Sequence, residues 1–121
     1  MLDGGSITVE TGGVASSLEI LAGGLAIDDG GTVYNASISG TALAVNSGSI
    51  TSGSIAGGGT LTLSGGAAAI AMTVSGGGSA QVGAGGEASG TIVSSGGTIE
   101  IFATGVATST MVLNLGTFRV D

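Results

Sequence analysis

Eight carboxylates are the groups in this 121-residue chain best suited to acid–base work or metal binding. Asp28 and Asp29 are adjacent, and Glu10 and Glu19 precede them. A pair of carboxyls can cleave a glycosidic bond, one protonating the leaving oxygen while the other acts as nucleophile or base. The phrase "IDDGG" reads instead as a turn that carries its acids into solvent. A calcium site is the other chemistry open to Asp28 and Asp29. Calcium-binding solenoid repeats place an Asp after each Gly-rich turn, and this Asp pair does not recur eighteen or nineteen residues on. His, Cys and Lys are absent, which removes Ser-His, Cys-His and Lys nucleophile schemes, disulfides and thiolate metal sites. The residues predict neither enzyme activity, nor a cofactor, nor a functional metal.

Other surface chemistry is sparse. Asn35-Ala36-Ser37 fits the N-x-S acceptor pattern, a short pattern that arises often by chance. A flat Thr array on a solenoid can bind ice, but Ala26 and Ala44 interrupt the column that would hold Thr8 and Thr62, and the pair Thr91 and Thr110 is too short for a face. One cation, Arg119, against a net charge of −7 disfavours a nucleic-acid backbone or an anionic membrane surface as partner. No run of about 18 apolar residues offers a membrane-spanning helix, and Met1-Leu2-Asp3 leads directly into repeats without a signal-peptide pattern. This abrupt start and finish predict a segment of a longer protein.

The elements that must position these residues are repeats. An apolar-any-apolar phrase after a Gly turn occurs at Ile7-Val9, Leu25-Ile27, Leu43-Val45, Leu61-Leu63, Ala80-Val82, Ile99-Ile101 and Phe118-Val120, at spacings of 18, 18, 18, 19, 19 and 19. Between these phrases lies a second series, Ile20, Ile38, Ile55, Val74, Val93 and Val112, each preceded by an arm led by Ala15, Val33, Ile50, Ala68, Ala88 or Ala107. Alternation at period two marks half-buried strands. Glycine pairs, from Gly4-Gly5 and Gly23-Gly24 to Gly96-Gly97, leave no room for helices and supply positive φ in turns. The 27 glycines therefore punctuate a folded chain, because 42% of its residues are apolar.

Two unlike arms in fixed order predict one winding of the chain per repeat, each about 4.8 Å beyond the last. The expected fold is all-β, a right-handed parallel β-helix (β-solenoid) of about six coils of 18–19 residues, forming one repeat domain over residues 1–121. An antiparallel β-sandwich is the competing architecture. Stacked coils would align the seven phrases into two interior columns, and would put Glu100 and Arg119 on adjacent rungs of the outer face. Phe118, Arg119 and Val120, in the last strand, are the candidates for end-to-end association.

At "GGEASGTIVSSGGTIEIFATGVATSTMVL" the chain resembles the AIDA-type repeats of self-associating bacterial autotransporter adhesins. Ala88, Thr91, Val93, Gly96-Gly97, Ile99 and Ile101 follow that pattern, and Ala107, Thr110, Val112, Phe118 and Val120 follow it again. The likeness extends along the chain and weakens between Gly40 and Gly57, where turns carry single glycines. It implies a β-helix displayed outside a Gram-negative cell and engaged in adhesion, aggregation or biofilm formation. Its implied partners are further copies of itself or a host or bacterial surface, with no nucleic acid and no membrane insertion. Some family members carry heptose on repeat serines, which implies a glycosyltransferase as a further partner and makes Ser47, Ser75, Ser94 and Ser95 candidate acceptors. A bactofilin-like filament of solenoids stacked end to end is the alternative, as is a glycosylated display stalk.

Overall fold

The computed structural model describes residues 4–22 and 25–121, with the backbone alone for residues 25–28. Its strands are short because a turn interrupts the chain every few residues. They form three parallel sheets, with each strand hydrogen-bonded to its equivalent one repeat away. The first sheet stacks β1 (Ser6–Glu10), β4 (Leu25–Asp29), β7 (Ala42–Asn46), β10 (Thr60–Ser64), β13 (Ser79–Val82), β16 (Thr98–Ile101) and β19 (Thr117–Val120). The second stacks β2 (Val14–Ser16), β5 (Thr32–Tyr34), β8 (Ser49–Thr51), β11 (Ala68–Ile70), β14 (Glu87–Ser89) and β17 (Val106–Thr108). The third stacks β3 (Glu19–Ile20), β6 (Ser37–Ser39), β9 (Ser54–Ala56), β12 (Thr73–Val74), β15 (Ile92–Val93) and β18 (Met111–Val112). This is an all-β parallel solenoid.

Each circuit has three sides where the sequence pattern suggested two arms. The longer arm bends at a column of corner residues, Ser17, Asn35, Ser52, Ala71, Gly90 and Ser109, all with φ between 51° and 67°. Five of these six carry a side chain in the left-handed region, at a cost of about 1–2 kcal/mol per residue. Stacking compensates. The Asn35 amide donates to Thr51 O at 2.9 Å, that of Ser52 to Ile70 O at 2.8 Å, and that of Ala71 to Ser89 O at 2.8 Å. The corner is thus part of the hydrogen-bonded ladder, which a reading of isolated turn residues cannot reveal.

The interior is a set of columns. Leu43, Leu61, Ala80 and Ile99 stack in one, and Val45, Leu63, Val82 and Ile101 in the next, all buried. The third sheet contributes Ile20, Ile38, Ile55, Val74 and Val93, each at most 1% exposed. These columns match the apolar phrases, with two corrections. In β4 the Cα register pairs Ala26 with both Ile7 and Leu43, and Asp28 with both Val9 and Val45, in place of Leu25 and Ile27. Spacings of 19 and then 17 replace 18 and 18 there, so the turns, rather than the alternation, fix where β4 pairs. Gly23-Gly24 and the side chains of residues 25–28 lie outside the described residues. In β11 the inward residue is Ala69, 2% exposed and paired with Ile50 and Ala88, rather than Ala68.

A further interior column follows the corner: Leu18, Ala36, Gly53, Met72 and Thr91. Met72 leans into the space that Gly53 leaves. A Cβ on Gly53 would lie 2.7 Å from Met72 Cε and 2.9 Å from Ala36 O. The Gly53 amide donates to Met72 Sδ at 3.2 Å. Thr91 is 1% exposed, and its Oγ1 has no hydrogen-bond partner among the described residues. A buried, unpaired hydroxyl costs about 1–3 kcal/mol. Thr91→Val keeps the shape and removes that penalty, so urea unfolding should show a gain of about 1 kcal/mol. A loss of stability would mean that the hydroxyl is satisfied.

Candidate functional site

Among the described residues, Glu10, Glu19 and Asp29 do not converge on one site. Glu10 and Asp29 are paired across adjacent rungs of the first sheet, and both are exposed. Asp29 Oδ1 accepts from Asn46 Nδ2 at 3.3 Å. Glu19 belongs to the third sheet, where it is exposed and paired with Ser37. Among the described residues no three His, Cys, Asp or Glu come together as a metal site would require. The side chain of Asp28 is outside the described set.

The candidate serines occupy two corners. Ser47 is exposed with φ of 62°, and its hydroxyl donates to Gly65 O at 2.7 Å. Ser75 and Ser94 are half-buried and take the same place in successive turns, after β12 and after β15. Ser95 follows, exposed, with φ of 38°. Beside it Ser94, Ser95, Val112, Leu113 and Asn114 line an open groove of about 620 Å³. Asn35 and Ser37 of the N-x-S pattern are both exposed, with Ala36 buried between them. Thr91 and Thr110 are not surface residues of a Thr array. Thr91 faces the interior, and Thr110 is half-buried with an unpartnered Oγ1 of its own. At the Thr8 and Thr62 column, the register places Ile27, not Ala26, between Thr8 and Ala44.

The broadest feature is the outer face of the first sheet. Thr60, Ser79, Thr98 and Thr117 form one file, and Thr62, Gln81, Glu100 and Arg119 the next. The expected ion pair is present: Arg119 Nη1 lies 3.3 Å from Glu100 Oε1. Arg119 Nε also donates to Asp121 Oδ1 at 2.9 Å, a contact the rung spacing did not foretell. Asp121 as hydrogen-bond partner, and then burial, raise the Glu100 carboxyl above its usual range against the pull of Arg119. The outward positions of the third sheet change character along the rod. Glu19, Ser37, Ser54 and Thr73 give way to exposed Ile92 and Met111, with Leu113 and Leu115 at the following turn. Period-two reading of β15 and β18 would have found Ile92 and Met111, whereas attention to the inward residues passed over them.

These features define a parallel β-solenoid whose chemistry is spread over flat, largely hydroxyl-bearing faces. No family model and no curated protein matches the chain. Among solved structures it is similar to a TibC-catalysed, hyper-glycosylated TibA fragment, residues 55–350, with a TM-score of 0.60 and 24% identity. The alignment covers 98% of this chain and 58% of that one, so the chain spans a little over half the length of the fragment. The likeness is one of fold.

Proposed function

We propose that the chain is a non-enzymatic structural and adhesive module of a bacterial surface protein, acting through self-association of its lateral faces. One observation carries this reading. Between Gly30 and Gly86 no residue is charged, while the first sheet there presents Ala, Thr, Ser, Asn and Gln side chains at strand spacing. Like-charge repulsion is therefore weak over the middle of the rod, and many hydroxyls can bond at once to a matching surface. The AIDA-type phrasing of the sequence and the shared fold with a hyper-glycosylated fragment agree with an extracellular location.

Sedimentation over a range of concentrations, with circular dichroism on the same samples, tests the proposal. The expected result is concentration-dependent association of a β-rich species, reduced by Thr62→Asp on the first face. A β-rich monomer at every concentration would overturn it and leave a spacer or stalk.

A second reading rests on the last rung. Phe118 and Val120 are 41% and 67% exposed, whereas their equivalents one rung earlier, Ile99 and Ile101, are 0% and 4% exposed. With Arg119 between them, they form an apolar face that a further rung would cover, supplied by more of the same chain or, as in an end-to-end filament, by a second copy. Association lost in Val120→Lys but retained in Thr62→Asp would favour that arrangement. Glycosylation of Ser47, Ser75, Ser94 or Ser95 by a dedicated transferase belongs to the same proposal. Ser95 is the most accessible of the turn serines after β15, and intact mass from the native host reads the modification directly.

A further inference from the structure

Asp29-Gly30 closes β4 and opens the turn toward β5. An Asp followed by Gly is open to attack by its own main chain, because the Gly nitrogen can reach the Asp Cγ with no Cβ in the way. The fold ties position 30 to glycine. Gly30 has φ of 82°, and a Cβ there would lie 2.5 Å from Thr11 Oγ1 of the preceding rung. A reactive pair therefore comes with the turn. Two contacts to Asn46, one rung on, hold its partners apart. The Gly30 amide donates to Asn46 O at 3.1 Å, which commits the nucleophile to the ladder. Asp29 Oδ1 accepts from Asn46 Nδ2 at 3.3 Å, which ties the carboxyl to the next rung.

We infer that Asp29-Gly30 is a latent isomerisation site, and that Asn46 is the positioning residue that keeps it unreacted while the rung is closed. When the rung opens, the Gly30 nitrogen attacks Asp29 Cγ. An N–Cγ bond forms, and one carboxyl oxygen leaves as water with the amide proton and the carboxyl proton. Water then adds to the old main-chain carbonyl carbon of Asp29 and breaks its bond to the Gly30 nitrogen. The main chain now runs through Cβ and Cγ, the old carbonyl is a free carboxylate, and no atom has been gained or lost overall. One extra main-chain carbon stands where Asp29 pairs with Glu10 on one side and bridges to Ser47 on the other. The ladder cannot close over it in the same register. The site thus makes an opening of β4 permanent. It is independent of the self-association proposal, because it concerns one rung of one chain.

Isoaspartate at Asp29, read by mass-spectrometric peptide mapping after prolonged incubation at neutral pH, tests the inference. The folded wild type should convert many-fold more slowly than the same chain in urea. Asn46→Ala, which frees the Asp29 carboxyl but keeps the main-chain bond, should convert several-fold faster than folded wild type. Ser47→Ala is the control for general loosening. It removes the bond from the Ser47 hydroxyl to Gly65 O at 2.7 Å and leaves both Asn46 contacts, so its rate should match wild type. Equal conversion of the folded and unfolded chain, no acceleration in Asn46→Ala, or the same acceleration in both variants would overturn the inference.

Discussion

Gly78→Ala should destabilise the solenoid by about 3 kcal/mol, the upper part of the range for overpacking a fixed interior. The residue ends the turn after β12, and its φ is not positive, so backbone freedom is not what it provides. It provides close approach. A Cβ there would press on the Ile55 carbonyl one rung away, 2.6 Å from its carbon and 3.0 Å from Ala56 N. Those are ladder atoms and cannot rotate aside, because Ile55 O accepts from the Ser75 amide at 2.9 Å. Gly59 and Gly116 are placed alike, with 2.5 Å from a hypothetical Cβ to Ile38 O and to Val93 O respectively. The neighbouring Gly77 makes the internal control. It has φ of 83°, but the nearest atom to its hypothetical Cβ is 3.8 Å away, so Gly77→Ala should cost only the left-handed penalty of about 1 kcal/mol. Urea denaturation of the two variants side by side checks the order. Equal losses would show that conformational freedom, and not rung spacing, explains both glycines.

Ile55→Ala should cost about 3–4 kcal/mol, within the usual span for truncating a buried Ile. Ile55 is 0% exposed and stacked between Ile38 and Val74, in a column one side chain wide. A solenoid rung contacts mainly its neighbours, so little of the structure can collapse into the space. Exchange should become faster first at β6, β9 and β12, with the ends of the rod following. The matching change at the last rung, Val112→Ala, should cost under 1 kcal/mol, because Val112 is 43% exposed and has less apolar contact to lose. A uniform loss of protection along the whole chain would indicate that the rungs fold as one cooperative unit.

Much of the candidate surface was legible before the fold was known. The pairing of Glu100 with Arg119 follows from a nineteen-residue interval and a period of two. The third contact, Asp121 with Arg119, did not follow, because it depends on how the guanidinium turns above its own strand. The exposed run Ile92 and Met111 was available to the same alternation rule. Thr91 is the opposite case. The sequence sets Thr91 beside Thr110 as a short pair for an outer face, yet the corner at Gly90 directs Thr91 inward. The "AAAI" stretch shows where alternation fails altogether. Ala67 and Ala69 are buried and Ile70 is 46% exposed, a direction that three like residues cannot announce.

The sequence by itself determined the class of fold and, outside β4, the content of the columns of the first and third sheets. Apolar residues two apart make one face of a strand, and their return every 18 or 19 residues brings equal faces together one rung on. Both are local properties of the chain. The tertiary structure alone decided that each circuit has three sides, that β4 pairs one residue out of step, and that Gly78 is needed for the distance between rungs rather than for its own φ. These depend on which backbone atoms of one rung meet those of the next. Corner geometry and hydrogen bonds between residues a full circuit apart settle that, and no window of neighbouring residues contains them.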